Sequence, residues 1–127
     1  QARKKQAPDN IIFEKQDATN LSYADNSFDT VIIANALHVM PNPEKVLEEI
    51  KRVLKPNAIL IAPTFIEHQK SFKAKVLLFL TGLVGFKPVH FWTLDSYTEF
   101  LHANGFTIIT KEVIPCTFSL AYVVAKA

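Results

Sequence analysis

Glycine is scarce in this chain, which has three glycines in 127 residues, at Gly82, Gly85 and Gly105. A loop that cradles a phosphate or a dinucleotide needs several glycines close together, because glycine alone lets the backbone approach a ligand so closely. No such loop can be drawn in these residues. This scarcity argues against a dehydrogenase that binds its nicotinamide cofactor through a glycine-rich fingerprint.

Cysteine is nearly absent as well, since Cys116 is the one cysteine of the sequence. A lone cysteine excludes an internal disulfide and fits a reducing compartment, so we expect a cytoplasmic protein. Cys116 has no histidine close to it in the sequence, which argues against a nucleophilic thiol and favours a small core residue. No spacing of histidine, cysteine and acidic residues suggests a metal site, and no metal is expected.

The chain also lacks an excess of charge of one sign. Its 14 basic and 12 acidic residues are largely mixed and leave a net charge of +2, apart from a short basic cluster at Arg3–Lys5. Such a balance creates no focused field for a polyanion, so no nucleic-acid partner is expected.

Length and hydrophobic content indicate one domain. With 49% hydrophobic residues, a chain of 127 residues can bury one core, and we expect a single domain over 1–127. The first ten residues contain no apolar stretch of the secretory type, and the chain begins with Gln1 rather than methionine. We therefore expect a partial domain that is a piece of a longer protein.

Hydrophobic periodicity in the first half predicts alternating strands and helices. The runs "NIIFEKQD" at 10–17, "FDTVIIANA" at 28–36 and "AILIAPTF" at 58–65 are typical of strands. Between the last two, Asn42 can cap a helix and Pro43 suits its first position. The apolar residues of this helix recur at helical spacing, at Val46, Leu47, Ile50, Val53 and Leu54. The charged residues between them are expected to face water, and they are Glu44, Lys45, Glu48, Glu49, Lys51 and Arg52.

The second half predicts a helix followed by a hairpin. The stretch "TLDSYTEFLHANGF" at 93–106 places Tyr97, Phe100 and Leu101 on one stripe, and Gly105 can form a left-handed C-terminal cap. Two β-rich runs at 106–114 and 119–127 are separated by a gap too short for a crossover helix, so they should pair antiparallel. The predicted fold is α/β, with a Rossmann-like, mainly parallel sheet flanked by helices and ending in an antiparallel hairpin.

The stretch from Gln16 to Ile61 resembles the second half of a class I S-adenosylmethionine-dependent methyltransferase of the small-molecule type. The matching motifs are Asp17-Ala18, Leu21, Tyr23, Ser27-Phe28-Asp29, Leu37-His38 and Leu54-Lys55-Pro56. The resemblance covers most of residues 11–66 and, more loosely, 92–127. It implies a truncated class I fold and methyl transfer from S-adenosylmethionine to a small-molecule acceptor by the parent enzyme.

Two features of that family differ here. Where the family has Gly-Gly after Leu-Lys-Pro, this chain has Asn57-Ala58, and Asn57 can still adopt a left-handed conformation. The family's first strand with its glycine-rich loop, and its second strand ending in the acid that binds ribose, are both missing from these residues. We therefore expect the chain alone to bind the cofactor weakly and to transfer no methyl group.

The resemblance implies three cofactor-binding residues. Asp17 and the backbone N–H of Ala18 would pair with adenine, and Asn35 would bond the amino-acid portion of S-adenosylmethionine, at the carboxyl end of a strand where ligands bind in such sheets. Each has a purely structural alternative. Asp17 could instead close an Asx turn or cap a helix, and Asn35 could be a turn residue that ends its strand.

His38 is the candidate on the substrate side. Imidazole is the usual general base near neutral pH, but the methyl sulfonium is already activated, so alignment of the acceptor is the main requirement and a base is optional. The alternative is a partly buried loop residue. His68 and His90 lie in the least family-like region and are weaker candidates, and His102 is expected to be solvated on its helix. No catalytic residue is assigned.

The segment 67–92 is the least family-like part of the chain. Its apolar core, Val76–Phe86, is too short to cross a bilayer. Three interpretations stay open: a core-packing helix, a variable lid over a hydrophobic acceptor, or an anchor on a membrane surface that uses Lys70, Lys73 and Lys75. The membrane anchor is the least favoured.

The missing strands lead to a prediction about how the sheet is completed. The strand at 28–36 would be an exposed hydrophobic edge, so it should pair with the chain's own first strand at 10–17 or with a second copy in a homodimer, in a sheet of five strands. An alternative function from another class is a non-catalytic methyltransferase-like module that mediates association. The methyl acceptor, its reacting atom and the pathway do not follow from the sequence.

Overall fold

The structure is a computed structural model that describes residues 10–66, 90, 92–115 and 119–127. The variable segment predicted at 67–92 falls almost wholly outside the described residues, as do His68 and Cys116. The fold below is that of the described ranges.

One mixed sheet organises these residues. Its strands are β1 (Phe28–Ile32), β2 (Leu54–Ile61), β3 (Thr64–Phe65), β4 (Thr107–Ile114) and β5 (Leu120–Lys126). β1 pairs parallel with β2, and β5 pairs antiparallel with β2, β3 and β4. Because β4 pairs along the whole length of β5, β2 and β3 must share the opposite edge of β5. The predicted α/β class and the final hairpin are confirmed, but the prediction of a mainly parallel sheet is wrong for the described residues, because three of the four strand pairings are antiparallel.

Two α-helices accompany the sheet, α1 (Pro43–Val53) and α2 (Leu94–Ala103). α1 joins β1 to the parallel β2, as the β-α-β prediction requires, and it begins with Pro43 at its first position. Asn42 occupies the N-cap position, but its side chain makes no capping hydrogen bond. α2 begins with a reciprocal capping box between Thr93 and Ser96.

Both predicted left-handed positions are confirmed. Gly105 has φ +83° just after α2, and Asn57 has φ 66° inside β2. Left-handed backbone is readily accessible to glycine and is tolerated best by asparagine among the other residues. The replacement of a family glycine by Asn57 therefore leaves the local backbone intact.

A single apolar core ties the helices to the sheet. α1 contributes Val46, Leu47 and Ile50 to this core, and α2 contributes Tyr97 and Leu101, both fully buried. Every second residue of β5 is buried, at Ala121, Val123 and Ala125, which is the alternation of a strand with one face on the core. Phe100, predicted to share the apolar stripe of α2, is partly buried against this core.

The predicted first strand is wrong. Residues 11–16 adopt no strand, and Asp17 makes only an isolated bridge to Asn20. Ile12 is 81% exposed, and Ile11 and Phe13 are also exposed. A short apolar run becomes a strand only where another strand offers its edge. No strand in the described part of the chain pairs with this run.

The pairing of β1 with the chain's own first strand is therefore also wrong. Within the described ranges β1 pairs with β2 alone, so its other edge has no strand partner there, and the Ile32 side chain of β1 is 65% exposed. Pairing of that edge with a second copy of the molecule stays a prediction. The described sheet does have five strands, but the count is completed by β3, which pairs with β5 and not with β1.

Candidate functional site

Asp17 lies in an Asx turn on an exposed loop. Its Oδ1 accepts hydrogen bonds from the backbone N–H of Thr19 at 2.9 Å and from the Thr19 hydroxyl at 2.8 Å. These bonds, the backbone one first, lower the pKa of Asp17 below its ordinary value, so the carboxylate is ionised at neutral pH. Both bonds use the same oxygen. The turn therefore orients the carboxylate and leaves Oδ2 outside it.

The neighbouring Ala18 is half-buried and packs against the edge of the core. The loop thus presents an exposed acceptor beside a more sheltered backbone. Lys45 of α1 lies close enough to lower the pKa of Asp17 further, which places the turn near the first half of that helix. An acceptor beside a donor suits the edge of a planar base, so the residues fit the adenine role that the family resemblance implies.

Asn35 lies beyond the carboxyl end of β1. It adopts a left-handed conformation with φ 51°, and its backbone N–H donates to the carbonyl of Pro63 at 2.8 Å. Pro63 follows the carboxyl end of β2, so Asn35 joins the ends of the two parallel strands. Its side chain is exposed. The backbone is thus that of the turn residue considered as the alternative, while the amide remains accessible to a ligand.

These predicted residues occupy two different loops. Asp17 and Ala18 lie before β1, and Asn35 follows β1. In the ranges that the structure describes, no hydrogen bond joins Asp17 to Asn35. Their cofactor-binding roles stay predictions.

His38 is buried in a short 3₁₀ turn (Leu37–Val39) after β1. It is 4% exposed, and its Nδ1 lies 3.2 Å from the hydroxyl of Thr64. Its ring meets Phe65 edge-to-face at 5.9 Å between centroids. Burial lowers the pKa of His38 below its ordinary value of 6.5, so the imidazole is neutral at pH 7. Its burial exceeds that of the partly buried loop residue considered as the alternative.

A second histidine, His90, contacts His38 through a backbone hydrogen bond. The backbone N–H of His90 donates to the carbonyl of His38 at 3.0 Å, and the ring of His90 stacks on Trp92 with 5.3 Å between centroids. Among the described residues, Nε2 of His90 is buried and has no hydrogen-bond partner. Sequence reasoning ranked His90 low because it lies in the least family-like region, and its contact with His38 has no local sequence signal. His102 is exposed on α2, as predicted.

Sequence reasoning missed the part played by Glu49 and Arg52. Both were expected to face water, but their side chains are 18% and 32% exposed and contact the loop that follows Asp17. Arg52 donates to the carbonyls of Leu21 and Tyr23, and Glu49 accepts from the N–H of Leu21. The available signal was the i, i+4, i+7 spacing of Lys45, Glu49 and Arg52, which places these charges on one helix face.

Metal-binding clusters and membrane-spanning helices are absent from the described ranges. Those ranges contain no group of three or more histidine, cysteine or acidic side chains arranged to hold a metal ion. Neither of their helices has the length and apolar character needed to cross a membrane.

The sequence of the chain is similar to those of known methyltransferases. Residues 1–62 match the family model described as a methyltransferase domain. A demethylmenaquinone methyltransferase of Paenarthrobacter aurescens is 47% identical over 62 residues, which cover 49% of this chain and 24% of that protein. A ubiquinone/menaquinone biosynthesis C-methyltransferase of Bdellovibrio bacteriovorus is 31% identical over 111 residues, covering 80% of this chain and 47% of that protein. The chain thus spans less than half the length of these relatives.

A solved structure supports the same fold. The 1,6-didemethyltoxoflavin-N1-methyltransferase of Burkholderia thailandensis, solved with its substrate and S-adenosylhomocysteine, superposes with a TM-score of 0.66 at 17% identity. The match covers 86% of this chain and 47% of that one. This likeness shows the fold of the class I S-adenosylmethionine-dependent methyltransferases, and residues 1–62 of the chain match a methyltransferase domain in sequence.

Proposed function

We propose that the protein containing these residues transfers a methyl group from S-adenosylmethionine to a small organic acceptor. The observation that carries this proposal is the methyltransferase match over residues 1–62, which contains all four candidate residues. The geometry is consistent with it. Asn35 lies where the carboxyl ends of two parallel strands meet, which is where open α/β sheets bind ligands.

Each candidate residue has a role that its environment allows. The ionised Asp17 accepts from the adenine amino group, and the N–H of Ala18 donates to a ring nitrogen. The exposed amide of Asn35 bonds the amino-acid portion of the cofactor. S-adenosylmethionine supplies a methyl group on an activated sulfonium, so these residues need only hold it in line with the acceptor. The neutral His38 lies on the acceptor side.

We place the selection of the acceptor beyond the matched stretch. By their names, the relatives methylate different acceptors, because one group is a quinone C-methyltransferase and the solved structure is an N1-methyltransferase. A stretch shared by such enzymes serves their common cofactor rather than one acceptor. His90 follows that stretch and lies beside His38, so we infer that it faces the acceptor. The single cysteine fits a reducing cytoplasm as the site of action.

We also propose that the 127 residues alone bind the cofactor weakly. The glycine-rich loop and the ribose-binding acid of the family would supply several charge-assisted hydrogen bonds, each worth about 1.5–3 kcal/mol. Loss of two such bonds removes roughly 3 kcal/mol, which corresponds to about a hundredfold in dissociation constant. The chain alone should therefore transfer no methyl group.

Isothermal titration with S-adenosylhomocysteine tests these proposals on the full-length protein and on the 127 residues alone. Full-length protein should bind, and the 127 residues should bind at least about a hundredfold more weakly. Asp17→Ala should weaken binding by the full-length protein. The matched control is Asp29→Ala, which removes an exposed carboxylate that pairs with Lys55 on the surface.

The non-catalytic module is the alternative that the same titration separates. A folded full-length protein that binds neither S-adenosylmethionine nor S-adenosylhomocysteine would favour the module and contradict the enzyme. Equal affinity of the 127 residues and the full-length protein would contradict only the account of the missing contacts.

A further inference from the structure

We propose that Glu49 and Arg52 of α1 are positioning residues of the cofactor site. They hold the loop Leu21–Asp25, and through it they fix the Asp17–Ala18 turn. This inference rests on the proposed function, because it assigns a role in binding S-adenosylmethionine. Neither residue touches the turn directly, so their effect is on its position.

Arg52 uses all of its hydrogen-bonding capacity at this loop. A guanidinium has five N–H donors in a fixed planar fork. Nε donates to Glu49 at 3.0 Å, and Nη2 donates to Glu49 and to the Leu21 carbonyl, both at 2.9 Å. Nη1 donates to the Tyr23 carbonyl at 2.8 Å and to Asp25 at 2.7 Å. The five donors therefore meet five acceptors on the helix and on the loop.

Glu49 completes the attachment from the other side. Its Oε2 accepts from the backbone N–H of Leu21 at 2.8 Å, so the peptide groups of Leu21 are held at both the N–H and the carbonyl. The hydrogen bonds from Arg52 and Leu21 lower the pKa of Glu49 from 4.5 to about 2. The carboxylate therefore stays ionised over the whole physiological range, and the attachment does not depend on pH there.

The loop carries this attachment on to the residues before Asp17. The Tyr23 hydroxyl donates to Glu14 at 2.6 Å, and its ring packs edge-to-face on Phe28 at 4.9 Å. Ser22 donates from its hydroxyl to Gln16 at 2.8 Å. Residues 11–16 have no strand partner in the described ranges, and these side-chain bonds attach Glu14 and Gln16 to the loop. Asp17 follows directly.

The bonds from Glu49 and Arg52 fix the position of the loop Leu21–Asp25 more than they stabilise the fold. The ion pairs of Arg52 with Glu49 and Asp25 lie at the surface, with side chains 32%, 18% and 67% exposed, and pairs that water and salt can screen contribute little to the free energy of unfolding. A ligand-binding group, in contrast, must stay within about 0.5 Å of its productive place to be effective. Loosening the loop should therefore weaken cofactor binding far more than it destabilises the fold.

Steady-state kinetics of the full-length protein test this role. Arg52→Lys keeps the charge but loses the planar fork. We expect it to raise the KM for S-adenosylmethionine roughly tenfold, a change of about 1.4 kcal/mol, with kcat at saturating cofactor and the melting temperature nearly unchanged. The matched control is Lys51→Met on the same helix, whose ammonium bonds the carbonyl of Gly105 instead. Its KM should equal that of the wild type.

A second variant keeps the test decisive if Arg52→Lys does not fold. Tyr23→Phe removes the hydroxyl that bonds Glu14 and leaves the carbonyl that Arg52 binds. It should raise the KM for the cofactor about threefold or more and speed amide hydrogen exchange in residues 14–18.

The outcomes separate the two proposals. Wild-type KM in both variants would overturn the positioning role while leaving the methyltransferase function intact. A wild-type protein that binds no S-adenosylmethionine would overturn the proposed function, and the positioning role with it.

Discussion

Residues 10–27 are held in place by different forces from those that hold residues 94–115 and 119–127. The first region forms no strand, and polar side chains of α1 bind its backbone. The second region forms α2 and the β4–β5 hairpin and is held by fully buried residues such as Tyr97, Leu101 and Phe106. Apolar burial is strong but not directional, whereas hydrogen bonds add little net energy and define position. The second region therefore supplies most of the stability, whereas the polar contacts of the first region define the geometry of the candidate site.

The greatest loss of unfolding free energy is expected from a truncation in the apolar core of the second region. Leu101→Ala removes a fully buried side chain of α2, and such truncations cost about 2–5 kcal/mol because they leave a cavity. Urea unfolding of the full-length protein should report this loss, while the folded fraction keeps its affinity for S-adenosylhomocysteine. Ile109→Ala is the control, because that side chain is 54% exposed. Equal effects of the two variants would contradict the assigned core.

A smaller effect is expected from loss of the hydroxyl of Tyr97, a core side chain of α2. The buried Tyr97 hydroxyl donates to the carbonyl of Ala62 at 3.0 Å, and burial raises its pKa. Tyr97→Phe leaves that carbonyl without this donor, which should cost about 1–3 kcal/mol of unfolding free energy. Tyr122→Phe, on the half-buried side of β5, is the matched control and should change little. An unchanged free energy of unfolding in Tyr97→Phe would show that water replaces the donor lost from the Ala62 carbonyl.

The left-handed positions give a smaller effect again. Gly105→Ala places a Cβ on a residue with φ +83°, against the ammonium of Lys51, which can move aside. The backbone strain should cost about 1 kcal/mol of unfolding free energy. Asn57→Gly, at φ 66°, should change that free energy by only a few tenths of a kcal/mol. Chemical denaturation measures both free energies of unfolding. An unchanged value for Gly105→Ala would contradict the left-handed backbone conformation after α2.

The smallest effect on overall stability tests the polar region by pH. The pKa of Glu49 is lowered from 4.5 to about 2 in the folded protein, so its stabilising contribution is complete above pH 4.5. That contribution should be lost as the pH falls from 4.5 towards 2, when the folded carboxylate takes up its proton. A carbon NMR titration of the Glu49 carboxyl should show a midpoint near 2. A midpoint near 4.5 would mean that Arg52 and Leu21 do not hold it.

Local sequence signals predicted much of the fold. The β1–α1–β2 unit, α2 and the hairpin follow from periodicity, from Pro43 and from Gly105, which act within a few residues. The run at 11–16 was assigned wrongly because its pattern is that of a strand, but a strand also needs a partner edge. That partner is a property of the rest of the sheet and is not encoded in the run itself.

The candidate site was less predictable for the same physical reason. Asp17, Ala18 and Asn35 were found through motifs, and the structure supplies their turns but does not test their roles. Glu49 and Arg52 resembled a solvated helix face, because their partners at Leu21 and Tyr23 lie far away in the sequence. The contact between His38 and His90 has no local signature either. Side-chain partners across such separations become visible only in three dimensions.

The position of β5 has a consequence for the growing polypeptide. β5 pairs with β2, β3 and β4, yet it follows all of them in the sequence. A ribosome makes about 5–20 residues per second, so roughly 60 residues and several seconds separate the synthesis of β2 from that of β5. During part of that interval β2 has emerged with its apolar side chains uncovered and with the backbone N–H and C=O groups that β5 will pair still without their partners. Chaperones that shield nascent apolar segments should therefore engage this protein between the synthesis of β2 and that of β5.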